Sequence, residues 1–254
     1  MRKGAPRIHA TERTLAMLDA VIADDGRSSI AALARALEVP VATAHRQVAT
    51  LAAEGYLTVC ARRYLPGPRL LALLHTVDEK QVLAVVAAPF LNALAASLQT
   101  VVQLGTFEHD MVTYRLKAGS GASALFTQVG MQLEAYCSGM GKVLLAYLPD
   151  SVRNGYLATG PFPALTPNTI TDPAALRTVL QQVNANGHAF DRGEILTGLN
   201  CAAVPVRRPS AEVVAALSAT FTSERRAEEA LPQLRDTARV IERAAFGRCD
   251  QSEA

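Results

Sequence analysis

The chain has 254 residues, half of them hydrophobic, so it can bury a sizeable core in one large domain or in two unequal ones. Its formal net charge of only +2 does not by itself predict a polyanionic partner. The charge is divided unevenly, however: residues 1–69 carry ten basic and six acidic side chains, whereas the remainder carries 15 basic and 17 acidic ones. This asymmetry is a weak indication that the first segment binds something anionic.

The cysteines and the apolar stretches exclude several classes of protein. Cysteines 60, 137, 201 and 249 form no CxxC pair and follow no signal peptide, so we expect a reduced chain in the cytoplasm. Every long apolar stretch is interrupted by charge, Pro or Gly before about 18 residues, which argues against a membrane span. No metal-ligand spacing is present, and we expect neither a metal nor a cofactor.

Three short helices are predicted in the first 60 residues. Apolar side chains recur at helical spacing from Thr11, which suits an N-cap, and Gly26 ends this helix. Ser28 or Ser29 then caps a second helix. Pro40 begins a third, because the first turn of a helix does not need the missing N–H.

The third helix, within "VATAHRQVATLAAEGYL" (residues 41–57), has two different faces on a helical wheel. One face is apolar and packs against the preceding helix: Val41, Ala44, Val48 and Leu51. The other is small and polar around one arginine: Ala42, Thr43, Arg46, Ala49 and Thr50. The segments "YLTVC" and "RRYLPG" follow, and they predict a small hairpin that carries Arg62 and Arg63.

Three helices followed by a basic hairpin form a winged helix-turn-helix pattern. In such a module the third helix enters the major groove, where Arg pairs with guanine and Thr contacts base edges, while basic residues of the wing lie near phosphates. The residues predicted to contact double-stranded DNA are Ser29, Ala42, Thr43, His45, Arg46, Gln47, Thr50, Arg62 and Arg63. The alternative is an ordinary core helix with a solvated face.

The rest of the chain predicts a helical linker and an α+β body. A helical segment runs from Arg69 to about Leu98, with a break or kink at Pro89, and we expect it to pack against another copy. Beyond it, strand-like and helical segments alternate, which favours a mainly antiparallel sheet. The predicted domains are residues 1–68, 69–88 and 89–254.

The second half of the body offers small polar side chains among apolar strands. Ser218 and Thr220 point to one face by the period of two, and Asp191 and Cys201 are their companions in a pocket for a small ligand. Each has a plainer interpretation, since a cysteine such as Cys201 is more often a small buried hydrophobe. We expect Glu194 to be structural, paired with an Arg or capping a turn.

Enzymatic interpretations are weaker. Cys201, His188 and Asp191 include the residue types of a thiol nucleophile with its base, but three such residues coincide easily. "AYCSGMG" lacks the first Gly of a nucleophile elbow. "SGMGKVLL" lacks the first Gly and the Ser or Thr of a phosphate loop, so we expect Lys142 to be a surface residue at a helix start.

The segment "SSIAALARALEVPVATAHRQVATLAAEGYL" resembles the DNA-binding head of the isocitrate-lyase-regulator (IclR) type of bacterial transcription factors. Thr43 and Arg46 match the start of the family's recognition helix, and "GYL" at residues 55–57 matches its lead into the wing. Ala42 stands where the family usually has serine, which removes one potential phosphate or base contact.

The body is similar to the same family. "VGMQLEAYCSGMGKVLLAYLP" and "NGHAFDRGEILTGLNCAAVPV" resemble its effector-domain segments, so the resemblance covers about residues 11–246. It implies a C-terminal GAF-like α/β effector-binding domain. The cavity residues that it implies are Gly130, Met131, Asp191, Cys201, Ser218 and Thr220.

The resemblance also implies a regulator that senses a small metabolite such as a carboxylic acid, controls a catabolic operon, and forms homodimers that pair into tetramers. A carboxylate beside Asp191 would be repelled unless backbone N–H groups or hydroxyls outweigh it. The rival hypothesis is a small-molecule-binding protein or enzyme with a degenerate helical head.

Overall fold

The computed structural model describes residues 7–121 and 125–247, so Cys249 lies outside it. The chain divides into two compact units between residues 78 and 79, inside the predicted linker. Each unit has a hydrophobic core of its own.

The N-terminal unit is a three-helix module with a two-stranded antiparallel hairpin. Its small core is built from Met17 and Val21 of the first helix, Ala34 of the second and Val48 of the third. The elements are α1 (His9–Asp24), α2 (Ile30–Ala36), α3 (Val41–Ala53), β1 (Leu57–Cys60), β2 (Arg63–Pro66) and α4 (Pro68–Thr76).

The helix starts agree with the sequence pattern at two of three places. The Ser29 hydroxyl accepts a hydrogen bond from the Ala32 N–H at 3.2 Å, which confirms the predicted cap of α2. Pro40 immediately precedes α3. The prediction of Thr11 as a cap is wrong, because α1 begins earlier, at His9, and is preceded by Ile8 without a side-chain cap.

The predicted continuous helix from Arg69 to Leu98 is two helices, α4 and α5 (Glu79–Leu98). The chain leaves the helical conformation at Val77, where φ is −101° and ψ is 118°. Pro89 lies inside α5 without ending it. Pro89 and Val85, the residue whose carbonyl loses its hydrogen bond, are both exposed, so water can satisfy that carbonyl.

Among the described residues, α5 is the one helix that is long and apolar enough to cross a membrane by length and composition. Its buried residues form a stripe that packs in the core of the C-terminal unit: Leu83, Ala84, Ala87, Leu91, Leu94, Ala95 and Leu98. This is the pattern of a core helix that covers a sheet.

The C-terminal unit is built on a six-stranded sheet with the order β5-β4-β3-β8-β7-β6, in which every neighbouring pair is antiparallel. This confirms the α+β class. The strands are β3 (Val101–Glu108), β4 (Met111–Ala118), β5 (Gln132–Glu134), β6 (Ala189–Arg192), β7 (Asn200–Arg207) and β8 (Val213–Phe221). The remaining helices are α6 (Gly139–Ala146), α7 (Asp150–Leu157), α8 (Pro173–Asn186), α9 (Glu224–Glu229) and α10 (Leu231–Phe246).

Alternating side chains divide this sheet into two faces. One face, with Ala202, Val204 and Leu217, packs against α5 and α10. The opposite face, with Ala203 and Ala216, packs against α6 and α8. Period-two alternation therefore decides which residues of β7 and β8 face α6.

The sequence predicts no strand at β5 or β6 and no helix at α7, and its pattern from Ser223 to about Phe246 predicts one helix where α9 and α10 are separated at Ala230. Only four residues form β6, and its pairing with β7 rather than its own pattern makes it a strand. Pro232 occupies the first turn of α10, where it cannot continue the hydrogen bonding of α9.

Gly141 allows α6 to approach the chain segment before it. A Cβ at residue 141 would lie 2.0 Å from the Ala135 carbonyl oxygen. This overlap is with backbone, so it could be removed only by a shift of the main chain. We expect Gly141→Ala to lower the free energy of unfolding by about 1–3 kcal/mol through this overlap. Gly155→Ala in α7 is the matched control, because its Cβ would meet nothing within 4 Å and alanine favours a helix. Urea unfolding of both variants measures the difference in stability. Equal stability of the two would contradict the close approach of α6 to the Ala135 carbonyl.

Candidate nucleic-acid interface and ligand cavity

The polar face of α3 is accessible along its length. Ala42, His45, Arg46 and Thr50 are exposed, and Thr43 is half-buried. The Arg46 guanidinium donates to the Thr43 hydroxyl at 3.4 Å, while the Thr50 hydroxyl donates to the Arg46 carbonyl at 2.9 Å. The guanidinium therefore retains free donors on an open surface of small side chains.

Gln47 lies differently from the other predicted contact residues. It is only 9% exposed and belongs to the inner side of α3, beside Val48 and Leu51. Its side-chain oxygen has no hydrogen-bond partner among the described residues. We correct the expectation for Gln47, because a side chain enclosed in this way does not present its amide to a base edge.

The hairpin completes this surface. Ser29, His45, Arg62 and Arg63 line one groove of the N-terminal unit. Arg62, with φ of 65°, lies at the tight turn between β1 and β2. A Cβ at Gly26 would lie 3.3 Å from the Arg63 Cβ, so the hairpin packs directly on the turn between α1 and α2. Two arginines thus stand beside the polar face of α3.

The C-terminal unit contains a cavity between the sheet and the start of α6. Asp191 of β6 is the register partner of Cys201 in β7, and Cys201 is the partner of Thr220 in β8. Ser218 is two residues before Thr220 and points to the same face. All four predicted residues line the cavity.

Further polar residues in the cavity were not predicted from the sequence. Gln103 of β3 is the register partner of Ser218, and its side-chain N–H donates to the Thr127 hydroxyl at 2.6 Å. Tyr114 and Ser138 also line the space. A polar residue between Val102 and Leu104 in the segment "TVVQLGTFE" was the available signal for Gln103.

Gly130 and Met131, the other two residues that the resemblance implied, do not line this cavity. Gly130 is exposed, and its N–H donates to the Tyr114 carbonyl at 2.8 Å. The Met131 carbonyl accepts from the Tyr114 N–H at 3.0 Å. Their backbone is held along β4, and the nearby residues that reach the cavity are Leu125, Phe126 and Thr127.

The cavity is small and mostly apolar apart from these groups. The centre of a water molecule can reach about 20 Å³ of it, which is room for roughly one water. A larger ligand therefore requires movement of lining side chains such as Phe126, which is 43% exposed.

The start of α6 supplies hydrogen-bond donors to this space. Ser138 caps the helix by accepting the Gly141 N–H at 3.0 Å. Gly139 and Met140 line the cavity, and their N–H groups come before the first hydrogen bond of the helix. Such amides, together with the helix dipole, stabilise a negative charge.

Asp191 is the one carboxylate among the residues that line the described cavity, and it is 1% exposed. Burial raises its pKa to about 6, although a hydrogen bond from the Glu194 N–H and the charge of Lys142 act in the opposite direction. The carboxylate oxygen accepts that N–H at 2.7 Å. Asp191 therefore changes its charge near neutral pH.

Lys142 is not a surface residue, as the sequence suggested, because it is 2% exposed and its ammonium pairs with the Glu194 carboxylate. Glu194 is paired, but its partner is this lysine rather than an arginine. Every residue of α6 is buried, so a charge on this helix requires a buried counter-charge.

The geometry does not assemble a thiol nucleophile with its base. The Cys201 sulfur lies 3.4 Å from the Thr220 hydroxyl, and burial raises the pKa of the thiol to about 12, whereas a nucleophilic cysteine needs a lowered pKa. His188 precedes β6 on the face opposite to Asp191, and its Nδ1 contacts the Asn186 carbonyl and Arg235.

Comparison with protein families decides the identity of both units. The family "IclR helix-turn-helix domain" matches residues 10–59, and "Bacterial transcriptional regulator IclR C-terminal" matches residues 75–243. The chain belongs to the IclR family of transcriptional regulators. It therefore joins a DNA-binding helix-turn-helix unit to a C-terminal unit that binds a small-molecule effector.

Individual IclR relatives agree. The Pca regulon regulatory protein of Pseudomonas putida is 32% identical over 208 residues, which are 81% of this chain and 72% of the relative. The regulator BhcR of Paracoccus denitrificans is 28% identical over 253 residues, which are 97% of this chain and 90% of the relative. These relatives are transcriptional regulators, which are not enzymes.

Two solved structures are similar over nearly the whole chain. An IclR homologue from Microbacterium hydrocarbonoxydans in complex with 4-hydroxybenzoate has a TM-score of 0.62 at 28% identity, with coverage of 93% of this chain and 98% of that one. A regulator from Silicibacter sp. TM1040 has a TM-score of 0.71 at 23% identity, with coverage of 96% of this chain and 98% of that one. This similarity supports the fold.

The raised pKa of Asp191 predicts a pH-dependent stability. Because the folded pKa of about 6 exceeds the ordinary aspartate value of 3.8, the folded state binds this proton more tightly, and its contribution to stability grows as the pH falls from 7.5 to 4. Relative to Asp191→Asn, the wild type should gain about 2–3 kcal/mol over this range. Urea unfolding at both pH values measures the difference, and parallel pH profiles would count against a buried, titrating Asp191.

Proposed function

We propose that this IclR-family regulator senses a small carboxylic acid, binds a pseudo-palindromic operator as a homodimer in the cytoplasm, and controls a catabolic operon. The observation that carries the effector part is the meeting of helix-start amides with polar side chains in one cavity. Gly139 and Met140 approach it from α6, and Ser218 and Thr220 from β8.

The donors in the cavity favour a carboxylate despite Asp191. The lining contains the first residues of α6, the hydroxyls of Ser218 and Thr220 and the side-chain amide of Gln103, whereas Asp191 is the single opposing charge among the described lining residues. Burial also reduces the repulsion between Asp191 and a bound carboxylate. It raises the pKa of Asp191 to about 6, so protonation of this side chain near neutral pH requires little free energy. The aromatic rings of Tyr114 and Phe126 line the cavity and can pack against the ring of an aromatic acid. The structure of the Microbacterium relative contains 4-hydroxybenzoate.

The DNA part depends on the exposed surface of α3 and the hairpin. Arg46 presents free guanidinium donors, Thr43 lies beside it, and Ala42 allows close approach. Arg62 and Arg63 supply positive charge near the phosphates. Ser29, His45 and Thr50 complete the proposed surface, from which buried Gln47 is omitted.

Substitution of Arg46 tests the recognition helix. Arg46→Ala should weaken binding to the DNA upstream of the protein's own gene by about 1–3 kcal/mol, because it removes paired hydrogen bonds to a base, while unrelated DNA is affected less. The matched control is Arg225→Ala in α9, which removes the same charge from the other unit. Fluorescence anisotropy at two salt concentrations is the measurement. Wild-type affinity in the Arg46 variant would remove α3 from the interface.

The charge of Asp191 makes a second, pH-based prediction. At pH 5.5 the aspartate, with its pKa of about 6, is mostly neutral, whereas an ordinary carboxylic acid remains largely ionised, so 4-hydroxybenzoate should bind tighter there than at pH 7.5. Asp191→Asn should bind it roughly tenfold tighter than wild type at pH 7.5 and lose the pH dependence.

Calorimetric titration checks this, with Asp236→Asn as a control because that carboxylate is 72% exposed. Ser218→Ala should weaken effector binding and leave DNA binding without effector unchanged. The same pH dependence in wild type and Asp191→Asn would remove Asp191 from the effector site.

Dimerisation is proposed through α4. No residue of this helix is buried, and two of its leucines, Leu71 and Leu74, are 63% and 59% exposed. Large apolar side chains are seldom exposed together on a helix that faces only water. Such an apolar face suits a copy of itself related by two-fold symmetry. The effector then shifts the population of body conformations, which alters the spacing or ordering of the paired heads.

Charged substitutions test the α4 interface. Leu71→Glu combined with Leu74→Glu should raise the dimer dissociation constant at least roughly tenfold, because the apolar contact is replaced by like charges while helix propensity is kept. Leu165→Glu, at a leucine that is 50% exposed in the other unit, is the control. Sedimentation equilibrium that finds the same assembly in all three proteins would exclude α4 as the interface.

A further inference from the structure

A buried ion pair lies next to residues that line the proposed effector cavity. The Lys142 ammonium pairs with one carboxylate oxygen of Glu194, and the two residues are 2% and 5% exposed. The second oxygen of Glu194 is buried without a hydrogen-bond partner in the described structure. Because desolvation of both charges offsets their attraction, a pair of this kind adds little net stability, and stability alone does not account for it.

The pair joins two elements that both contribute to the cavity. Lys142 lies in the same turn of α6 as Gly139 and Met140, which line the cavity at the amino end of the helix. Glu194 lies in the loop after β6, and its own N–H donates to Asp191 at 2.7 Å. One contact therefore links the donors of the cavity to its carboxylate.

The loop that carries Glu194 is held from its other side. The Thr169 hydroxyl donates to the Glu194 carbonyl, and the Thr166 hydroxyl to the Gly193 carbonyl, each at 2.6 Å. The Asn168 amide donates to the Arg192 carbonyl at 3.0 Å. The Lys142 contact thus ties the start of α6 to a backbone that is already fixed.

No side chain separates α6 from β6 at this point. A Cβ at Gly139 would lie 3.5 Å from the Asp191 backbone nitrogen and 3.4 Å from the Ala203 Cβ. A small displacement of α6 therefore changes the distance between its first amides and Asp191, and with it the balance between attraction and repulsion that an anion meets.

We propose that Lys142 and Glu194 are positioning residues of the effector cavity, whose buried ion pair holds the first amides of α6 and Asp191 in the arrangement that admits an anionic effector. This inference rests on the proposed effector function. The Lys142 charge also acts on Asp191 itself, since it lowers the pKa of that carboxyl.

The test replaces the pair by neutral side chains of similar length, in Lys142→Met/Glu194→Gln. Net charge is unchanged and no buried charge is left without its partner. Arg225→Met/Glu229→Gln is the matched control, because it removes an exposed pair at 2.7 Å from α9 of the same unit. Glu194→Gln alone is the conservative variant, since an amide oxygen still accepts from Lys142.

Two readouts separate positioning from general stability. In the full-length protein without ligand, the Glu194 amide should exchange with deuterium at least roughly tenfold faster in the neutral-pair variant, while the Leu217 amide in the sheet core is unchanged. Affinity for 4-hydroxybenzoate at pH 7.5 should fall at least roughly tenfold, and DNA affinity without ligand should stay the same. The midpoint of the pH dependence of binding should move only slightly upward, because the variant removes both the Lys142 charge, which lowers the pKa of Asp191, and the smaller opposing effect of the Glu194 charge.

Each outcome decides something definite. Unchanged exchange at Glu194 overturns the proposal, as does a change of equal size in the control. If wild-type protein binds no 4-hydroxybenzoate, that choice of ligand fails, and the exchange readout still decides the positioning role by itself. If the neutral-pair variant does not fold, Lys142→Met alone replaces it, because it removes the contact to Glu194, and exchange at Glu194 equal to wild type in that variant would falsify the proposal.

Discussion

The register between β6, β7 and β8 places Asp191 beside Cys201 and Cys201 beside Thr220, and the arrangement of the proposed effector cavity depends on this row. Antiparallel pairing aligns side chains across strands, and the period of two adds Ser218 to the same face. A slip of one residue would turn these polar groups toward the apolar layer under α5 and α10. The alternation of side chains between the two buried faces of β7 and β8 thus places residues both in the core and in the cavity.

A second constraint is the close packing of α6 on this row. Glycine at 139 and 141 lets the helix approach β6 and the Ala135 carbonyl without a side chain in between. As a result, the amide-rich start of the helix and the carboxyl of Asp191 share one small volume. The cavity combines positive and negative potential within a few ångströms, so modest changes in protonation or position have large effects on an anionic ligand.

The N-terminal unit follows a different logic. Its core is small, its helices are short, and its function depends on what it leaves exposed: a polar face on α3 and two arginines on a hairpin. Rigid packing of the hairpin on the turn at Gly26 keeps these groups on one surface. Family membership assigns DNA binding to this unit and effector binding to the other, and the exposed leucines of α4 offer a means to pair two copies.

By itself the sequence determined the features that depend on local periodicity and chain-adjacent chemistry. These are the winged helix-turn-helix order, the cap at Ser29, the exposed face around Arg46, and the common face of Ser218 and Thr220. Gln47 was misassigned because it borders the apolar sector of α3, where a helical wheel does not decide burial.

Only the tertiary structure decided features whose partners are distant along the chain. Lys142 is buried because Glu194, 52 residues later, supplies its counter-charge, and no local pattern contains that pairing. The same reason accounts for β6, which is a strand through its pairing with β7, and for the held backbone of Gly130 and Met131 outside the cavity. Burial and charge balance depend on what folding brings together, whereas periodicity is already present in the unfolded sequence.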